Sequence, residues 1–364
     1  MASLPILPSI GQTVPAEIIL SNTRSSWQRI ATAATRIPKS FSILANFNRS
    51  QFSSIKCFPP VIPIPNVCTP SDAPVLQTSC VIELYEGADA VGGADLDVDE
   101  VFSTYLYEGD ASTQTITNGI DLSGEGGLVW VKGRSGTSGS SGWGGDIAHN
   151  LFDSTAPQRP MNSAKTNART NFGAAGVNFT STGFTVGYNG FNDLNYSTFP
   201  YASWSFRKAP KFFDIVTYTG DGTKGRQIAH NLGGEPGMIV IKATDATSDW
   251  FVWHRSLPNR ITGTPNRPYT LKLNTYDSQS GDDSIGPCTA QHIVTGEDAS
   301  KVNTSGRAYV AYVFAHNDGD GEFGPDSDAD IIKCGSFTGT GGDVAIDLGF
   351  EPQFLLWTQY DGLD

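Results

Sequence analysis

Unbroken apolar runs of four residues recur at Leu128–Val131, Met238–Ile241 and Phe354–Trp357. A strand with one wet face alternates, so unbroken runs predict central strands covered on both faces. Tyr201–Phe206 and Tyr309–Phe314 alternate aromatic or apolar residues with small ones, the period-two pattern of a half-buried strand. Trp250–Trp253 also reads as a strand. Pro236 cannot donate to a ladder, which places it at the start of a strand. Thr217 and Tyr218 favour a strand, and Gly220-Asp221-Gly222 offers the turn that ends it. A helical pattern occurs near the N-terminus, where Trp27, Ile30 and Ala34 share one face behind a cap at Ser21 or Asn22.

These patterns recur. Residues 105–132, 216–242 and 334–358 each carry an aromatic, one residue, then Gly: Tyr107/Gly109, Tyr218/Gly220 and Phe337/Gly339. Each continues through Ile and Leu (Ile116, Ile120 and Leu122; Ile228 and Leu232; Ile346 and Leu348) and a Glu-containing turn into its apolar run. Glu235-Pro236 and Glu351-Pro352 match outright, whereas Glu125-Gly126 diverges. The two alternating strands lie 108 residues apart, which gives a repeat of about 110 residues, the size of an independent domain.

The expected organisation has four parts. Residues 1–100 form an N-terminal docking arm and linker, with a Pro-rich extended stretch at 57–84 and an acidic connector at 85–100. Residues 101–212 form repeat one and residues 213–325 repeat two. Residues 326–364 begin a third repeat. An opening hairpin by itself cannot bury its apolar face, so the natural chain is expected to continue, or this hairpin to dock on repeat two or a neighbouring subunit. Ser135–Gly145 is expected to be an exposed loop.

Composition supports strands over helices. Glycine is 40 of 364 residues and charged residues are 17%, which argues against helical bundles and coiled coils, while 11% aromatics argue against a wholly disordered chain. The expected fold class is therefore all-β. The net charge of -13 is unevenly placed: residues 1–71 carry six basic residues and one acid, and residues 72–364 carry 18 basic and 36 acidic. The body should repel nucleic acid and anionic lipid, so neither nucleic-acid binding nor membrane insertion is expected. The basic arm suits docking on an acidic partner surface through Arg24, Trp27, Arg29, Ile30, Arg36 and Lys39. An organelle transit peptide is the alternative reading of that acid-poor stretch. Five cysteines without a CxxC pair argue against a disulfide framework and a four-ligand zinc site.

The run from Tyr218 to Leu257, with the strand Tyr309–Phe314 and the restart Ile331–Gly339, resembles a domain that recurs in tail-associated and fibre proteins of marine tailed phages. The resemblance covers about residues 101–364. It implies tandem β-sandwiches of jelly-roll or lectin-like type, carried on a virion and preceded here by the extended arm with its short helix. It also implies a homo-oligomer, with a trimer favoured. It supplies no catalytic motif.

Candidate chemistry is sparse. No HExxH, GxSxG or P-loop motif occurs. His149 and His254 lie at comparable places in the two repeats, a pattern that suits packing better than catalysis. Glu235 with Asp245 or Asp249 would supply the carboxylates of a glycosidase, although the recurrence of Glu351 favours a turn role. Asp318, Asp320, Glu322, Asp326 and Asp328 have the oxygen chemistry of a loose calcium site, but not EF-hand spacing. The competing reading is a solvated acidic link. Trp143, Trp250, Trp253 and Tyr276 are the aromatics that would stack on a glycan, against core packing as the alternative. The expectation is a non-enzymatic structural protein of the virion: a tail fibre or appendage anchored by residues 1–84, with no cofactor other than calcium. A carbohydrate-binding or glycan-degrading tailspike and a capsid decoration protein are the alternatives.

Overall fold

The chain divides into two units, Met1–Asp89 and Ala90–Asp364. The computed structural model describes residues 96–134, 149–188, 194–261, 267–281 and 283–361, all in the second unit. The arm with its six docking residues, Trp143 and the Ser135–Gly145 loop lie outside the described residues.

The described residues are nearly all-β, with two one-turn helices, α1 (Val98–Val101) and α2 (Ala299–Val302), and a 3-10 turn at Gly173–Ala175 among them. The first half holds β1 (Phe102–Glu108), β2 (Gln114–Thr117), β3 (Gly127–Gly133), β4 (His149–Asp153), β5 (Met161–Asn162), β6 (Val177–Thr180), β7 (Gly183–Val186) and β8 (Pro200–Arg207). They form an antiparallel five-stranded sheet, β1-β8-β3-β4-β5, and a three-stranded sheet, β2-β7-β6. The second half holds β9 (Phe213–Thr219), β10 (Gln227–Ala229), β11 (Pro236–Ala243), β12 (Phe251–His254), β13 (Asn259–Ile261), β14 (Arg267–Pro268), β15 (Leu271–Lys272), β16 (His292–Val294) and β17 (Ala308–Ala315). Its five-stranded sheet runs β9-β17-β11-β12-β15, the same order by position, with the pairs β10-β16 and β13-β14 beside it. Pro236 opens β11, as the missing N–H requires.

Among the described residues, three clusters of buried side chains build the core. Val129, Val131, Phe152 and Tyr201 of the first large sheet pack with Ile116, Val177 and Phe184 of the small one. Ile239, Ile241, Trp253 and Val313 pack with Ile228 and Ile293 of the β10-β16 pair. The third cluster joins the two large sheets: Leu128, Leu151 and Phe206 meet Phe213, Val240, Trp250, Tyr312 and Phe314. The central strands of both large sheets are thus covered on both faces. This holds for β3 and β11, as their unbroken apolar runs require. It corrects the half-buried expectation for β8 and β17: Tyr201 faces the inner core while Phe206 faces the seam.

Polar groups also cross the seam. Arg169 donates to the Asp153 carboxylate at 2.6 Å, and Tyr312 donates its hydroxyl to the same oxygen at 2.6 Å. The Trp250 indole N–H donates to the carbonyls of Asn162 and Lys165. The buried Lys242 ammonium has three acceptors, the carbonyls of Thr166 and Ala243 and the Ser248 hydroxyl, each at 3.1 Å.

Beyond β17 the described residues form no named strand. Phe354–Trp357 is therefore not the central strand that its four apolar residues predict. Leu355 and Trp357 are 65% and 71% exposed. Period and hydrophobicity select strand, but a strand also needs a partner to take its N–H and C=O groups.

Candidate functional site

The two halves share a turn built from the same atoms. Tyr107 stacks on Tyr201 at 5.0 Å, and Tyr218 on Tyr309 at 5.1 Å. Two residues on, Gly109 and Gly220 lie against the loop that enters β8 or β17. A Cβ there would sit 2.0 Å from the Tyr196 carbonyl oxygen or 2.1 Å from that of Thr304, so only glycine fits. Next comes a reciprocal side-chain clamp. Asn195 accepts the Asp110 backbone N–H and donates to its carboxylate, each at 3.0 Å. Asn303 does the same for Asp221, at 3.2 and 2.8 Å. Asn195 and Asn303 are fully buried, which such satisfied bonding allows. Neither Asn was singled out from the sequence. Their own 108-residue spacing, equal to that of the two tyrosines, is the signal that could have found them.

A cleft of about 240 Å³ opens where β11 begins and β12 ends, lined among others by Glu235, Trp253, His254, Arg255, Asn259 and Cys288. It brings together Glu235, Trp253 and His254 from the sequence candidates and adds Arg255 and Cys288. Trp253 is buried and its indole N–H has no acceptor among the described residues. The Cys288 thiol bonds the Gly286 carbonyl, and burial pushes its pKa up to about 12, so it stays a protonated, poor nucleophile at neutral pH. His254 accepts the Ser256 N–H on Nδ1. Burial, reinforced by Arg255 and then His316, brings its pKa down to about 4. His254 is therefore neutral at pH 7, and the cleft offers polar binding groups without a thiolate for it to activate.

This histidine sets a pH dependence. Its ordinary value of about 6.5 applies in the unfolded chain. Between pH 6.5 and 4 the unfolded state takes up a proton that the native state refuses, so stability falls as pH falls through that window. The loss should reach on the order of 3 kcal/mol at the bottom of the window. Burial also lowers His230 and His316, which adds to the same trend. Urea unfolding at pH 7, 5.5 and 4.5 should show it, and His254→Asn should flatten a large part of it. Equal stability at pH 7 and 4.5 would refute the assignment.

The other sequence candidates are dispersed. Trp250 is fully buried in the seam and has no face for a sugar, whereas Tyr276 is 88% exposed. Asp245 accepts the Ala308 N–H, and Asp249 pairs with Lys272 at 3.1 Å. His149 opens β4 opposite Lys132, while His254 closes β12 opposite Met238. The two histidines therefore stand at opposite ends of matching strand pairs, which corrects their expected equivalence.

The acidic link is folded onto the body. Phe323 is fully buried, and Asn317 accepts the N–H groups of Ile331 and Ile332. Asp320 pairs with Lys211 at 3.0 Å, and Asp318 with Lys333 at 3.4 Å. Asp326 and Asp328 are exposed and Glu322 is half-buried. Among the described residues no three His, Cys, Asp or Glu side chains are grouped to hold a metal ion. No helix among them is long and apolar enough to cross a membrane.

Residues 97–363 match the model of a family described as a domain of unknown function, DUF7483. No curated protein and no solved structure matches the chain.

Proposed function

We propose that this chain, which belongs to the DUF7483 domain family, is a structural protein of a tailed-phage particle, of tail-fibre or appendage type. The observation that carries this reading is the seam. Two similarly ordered sheets bury their outer faces against each other, and the opening pattern recurs a third time at 334–358. Such a body is a stiff building block designed for serial use. The carboxylates Asp245 and Asp249 hold turns and strands in place, consistent with a passive role. The basic arm, residues 1–84, attaches the protein to other virion proteins. The acidic body projects and repels nucleic acid. Tyr276 is the exposed aromatic that a host-surface glycan would meet.

Cross-linking mass spectrometry on purified particles from the lysate that encodes the chain tests this. Links from Lys39 and Lys56 to other virion proteins are expected. A chain absent from particles, or present without any link from its first 84 residues, would overturn the reading.

A further inference from the structure

We propose that the cleft at the end of β12 binds an acidic sugar: one pyranose-sized ring that carries a single carboxylate and free hydroxyls. The two halves supply a control within one chain. Their strands match in register, because Leu128 pairs with Phe206 as Met238 pairs with Phe314. On the other side Asp153 pairs with Leu128, and His254 with Met238. The next residue repeats one backbone bond. The Ser154 N–H donates to the Gly127 carbonyl and the Arg255 N–H to the Gly237 carbonyl, each at 2.9 Å. Phe152-Asp153-Ser154 and Trp253-His254-Arg255 therefore occupy the same three places.

The frame stands without the second set of side chains. Phe152 is fully buried and has no side-chain N–H to satisfy. Asp153 is taken up by Arg169 and Tyr312. Trp253, in the place of Phe152, is 9% exposed, and its buried indole N–H has no acceptor among the described residues. An unpaired buried donor costs about 1–3 kcal/mol, which a phenyl ring avoids. Arg255, in the place of Ser154, is exposed and makes no ion pair among the described residues. Neither the indole nor the guanidinium is needed for the sheet, and both line the cleft. They point to an occupant.

The lining sets the chemistry of that occupant. His254 accepts the Ser256 N–H on Nδ1, so its neutral ring keeps a proton on Nε2 as a donor. Arg255 adds a cationic fork, which grips a carboxylate through two parallel bonds. A phosphate dianion would bring more negative charge to a wall that already holds the Glu235 carboxylate. Glu235 only accepts, so it suits the hydroxyls of the occupant. Pro236, Leu257, Pro268 and Pro287 make much of the remaining wall apolar, a surface for the C–H face of a ring. At about 240 Å³ the cleft falls below the roughly 300–1,000 Å³ of pockets for drug-sized ligands, so it takes one ring at a time. Glu235 is the one carboxylate among its described lining residues, where hydrolysis of a sugar linkage takes two, so the site binds without cleaving. The site rests on the cleft itself and holds with or without a virion around the chain.

The probe is methyl glucuronide, added to the full chain, with methyl glucoside as the neutral ring and lactate as the hydroxy acid without a ring. Calorimetry should show saturable binding of the glucuronide and at least tenfold weaker binding of the other two. The Trp253 indole N–H resonance, identified by its loss in Trp253→Phe, should shift as the glucuronide binds. Arg255→Gln should weaken the glucuronide at least tenfold, and because Arg255 is exposed the substitution spares the fold. No saturable binding of the glucuronide, equal binding of the glucoside or of lactate, an unmoved indole resonance, or full affinity in Arg255→Gln would each overturn the proposal.

Discussion

Arg169→Met should destabilise the protein by about 3–5 kcal/mol, because it leaves a buried carboxylate without its counter-charge. Asp153 is fully buried, and the Arg169 side chain is 5% exposed. Asp153 also accepts from Tyr312 and from the Thr155 backbone and hydroxyl, but neutral donors cannot replace a cation. Arg169 further ties Arg159 through its carbonyl at 3.0 Å. The double variant Asp153→Asn/Arg169→Met removes the charge along with its partner and should recover a large part of the loss. Urea unfolding of the three proteins decides it. A single variant that costs under 1 kcal/mol would show that the pair is not desolvated as the structure has it.

Phe206→Ala should cost about 3–5 kcal/mol, the usual range for emptying a buried aromatic site. The ring lies in the seam, within 5.0–6.2 Å of Phe102, Phe212, Phe213, Phe314 and Phe354. Four of these neighbours, Phe212, Phe213, Phe314 and Phe354, lie beyond β8 in the chain. The effect should therefore cross the chain. Amide exchange should speed up in β11 and β17 as well as in β3 and β8, in one cooperative transition. A response confined to the first half would mean that the two halves unfold separately.

Several strands were legible from a local rule, although the same rule failed at Phe354–Trp357. Unbroken apolar runs located β3 and β11, and Pro236 located the start of β11. The aromatic–x–Gly signature located the turns after β1 and β9, because a glycine forced by a nearby backbone leaves a mark on the sequence. The alternation in β8 and β17 misled, since Ser203 and Ser205 look like a wet face but are fully buried. Ser205 accepts from the Asn118 amide and Ser203 donates to the Tyr105 carbonyl, so small hydroxyls fit a covered face when bonded. The seam left no local signal. Asp153, Arg169 and Tyr312 are up to 159 residues apart, and nothing in the sequence around each one names the other two.

The candidate site divides the same way. Trp253 and Glu235 stood out by residue type, but Arg255 and Cys288 reach the cleft through the path of the chain. Trp250 and Trp253 are three residues apart and look alike in sequence, yet one lies in the seam cluster and the other lines the cleft.

The sequence alone determined the all-β character, the repeat of about 110 residues and the charge division between arm and body. These depend on composition, period and spacing, which are properties of neighbours along the chain. Tertiary structure decided that the two large sheets share a core, that the acidic link is pinned, and that the described residues of the third opening motif form no strand. Each of these depends on which surface meets which, and on whether a partner strand is present to take the backbone hydrogen bonds. A hydrophobic pattern states what a segment can bury, and only the assembled fold supplies the surface it buries against.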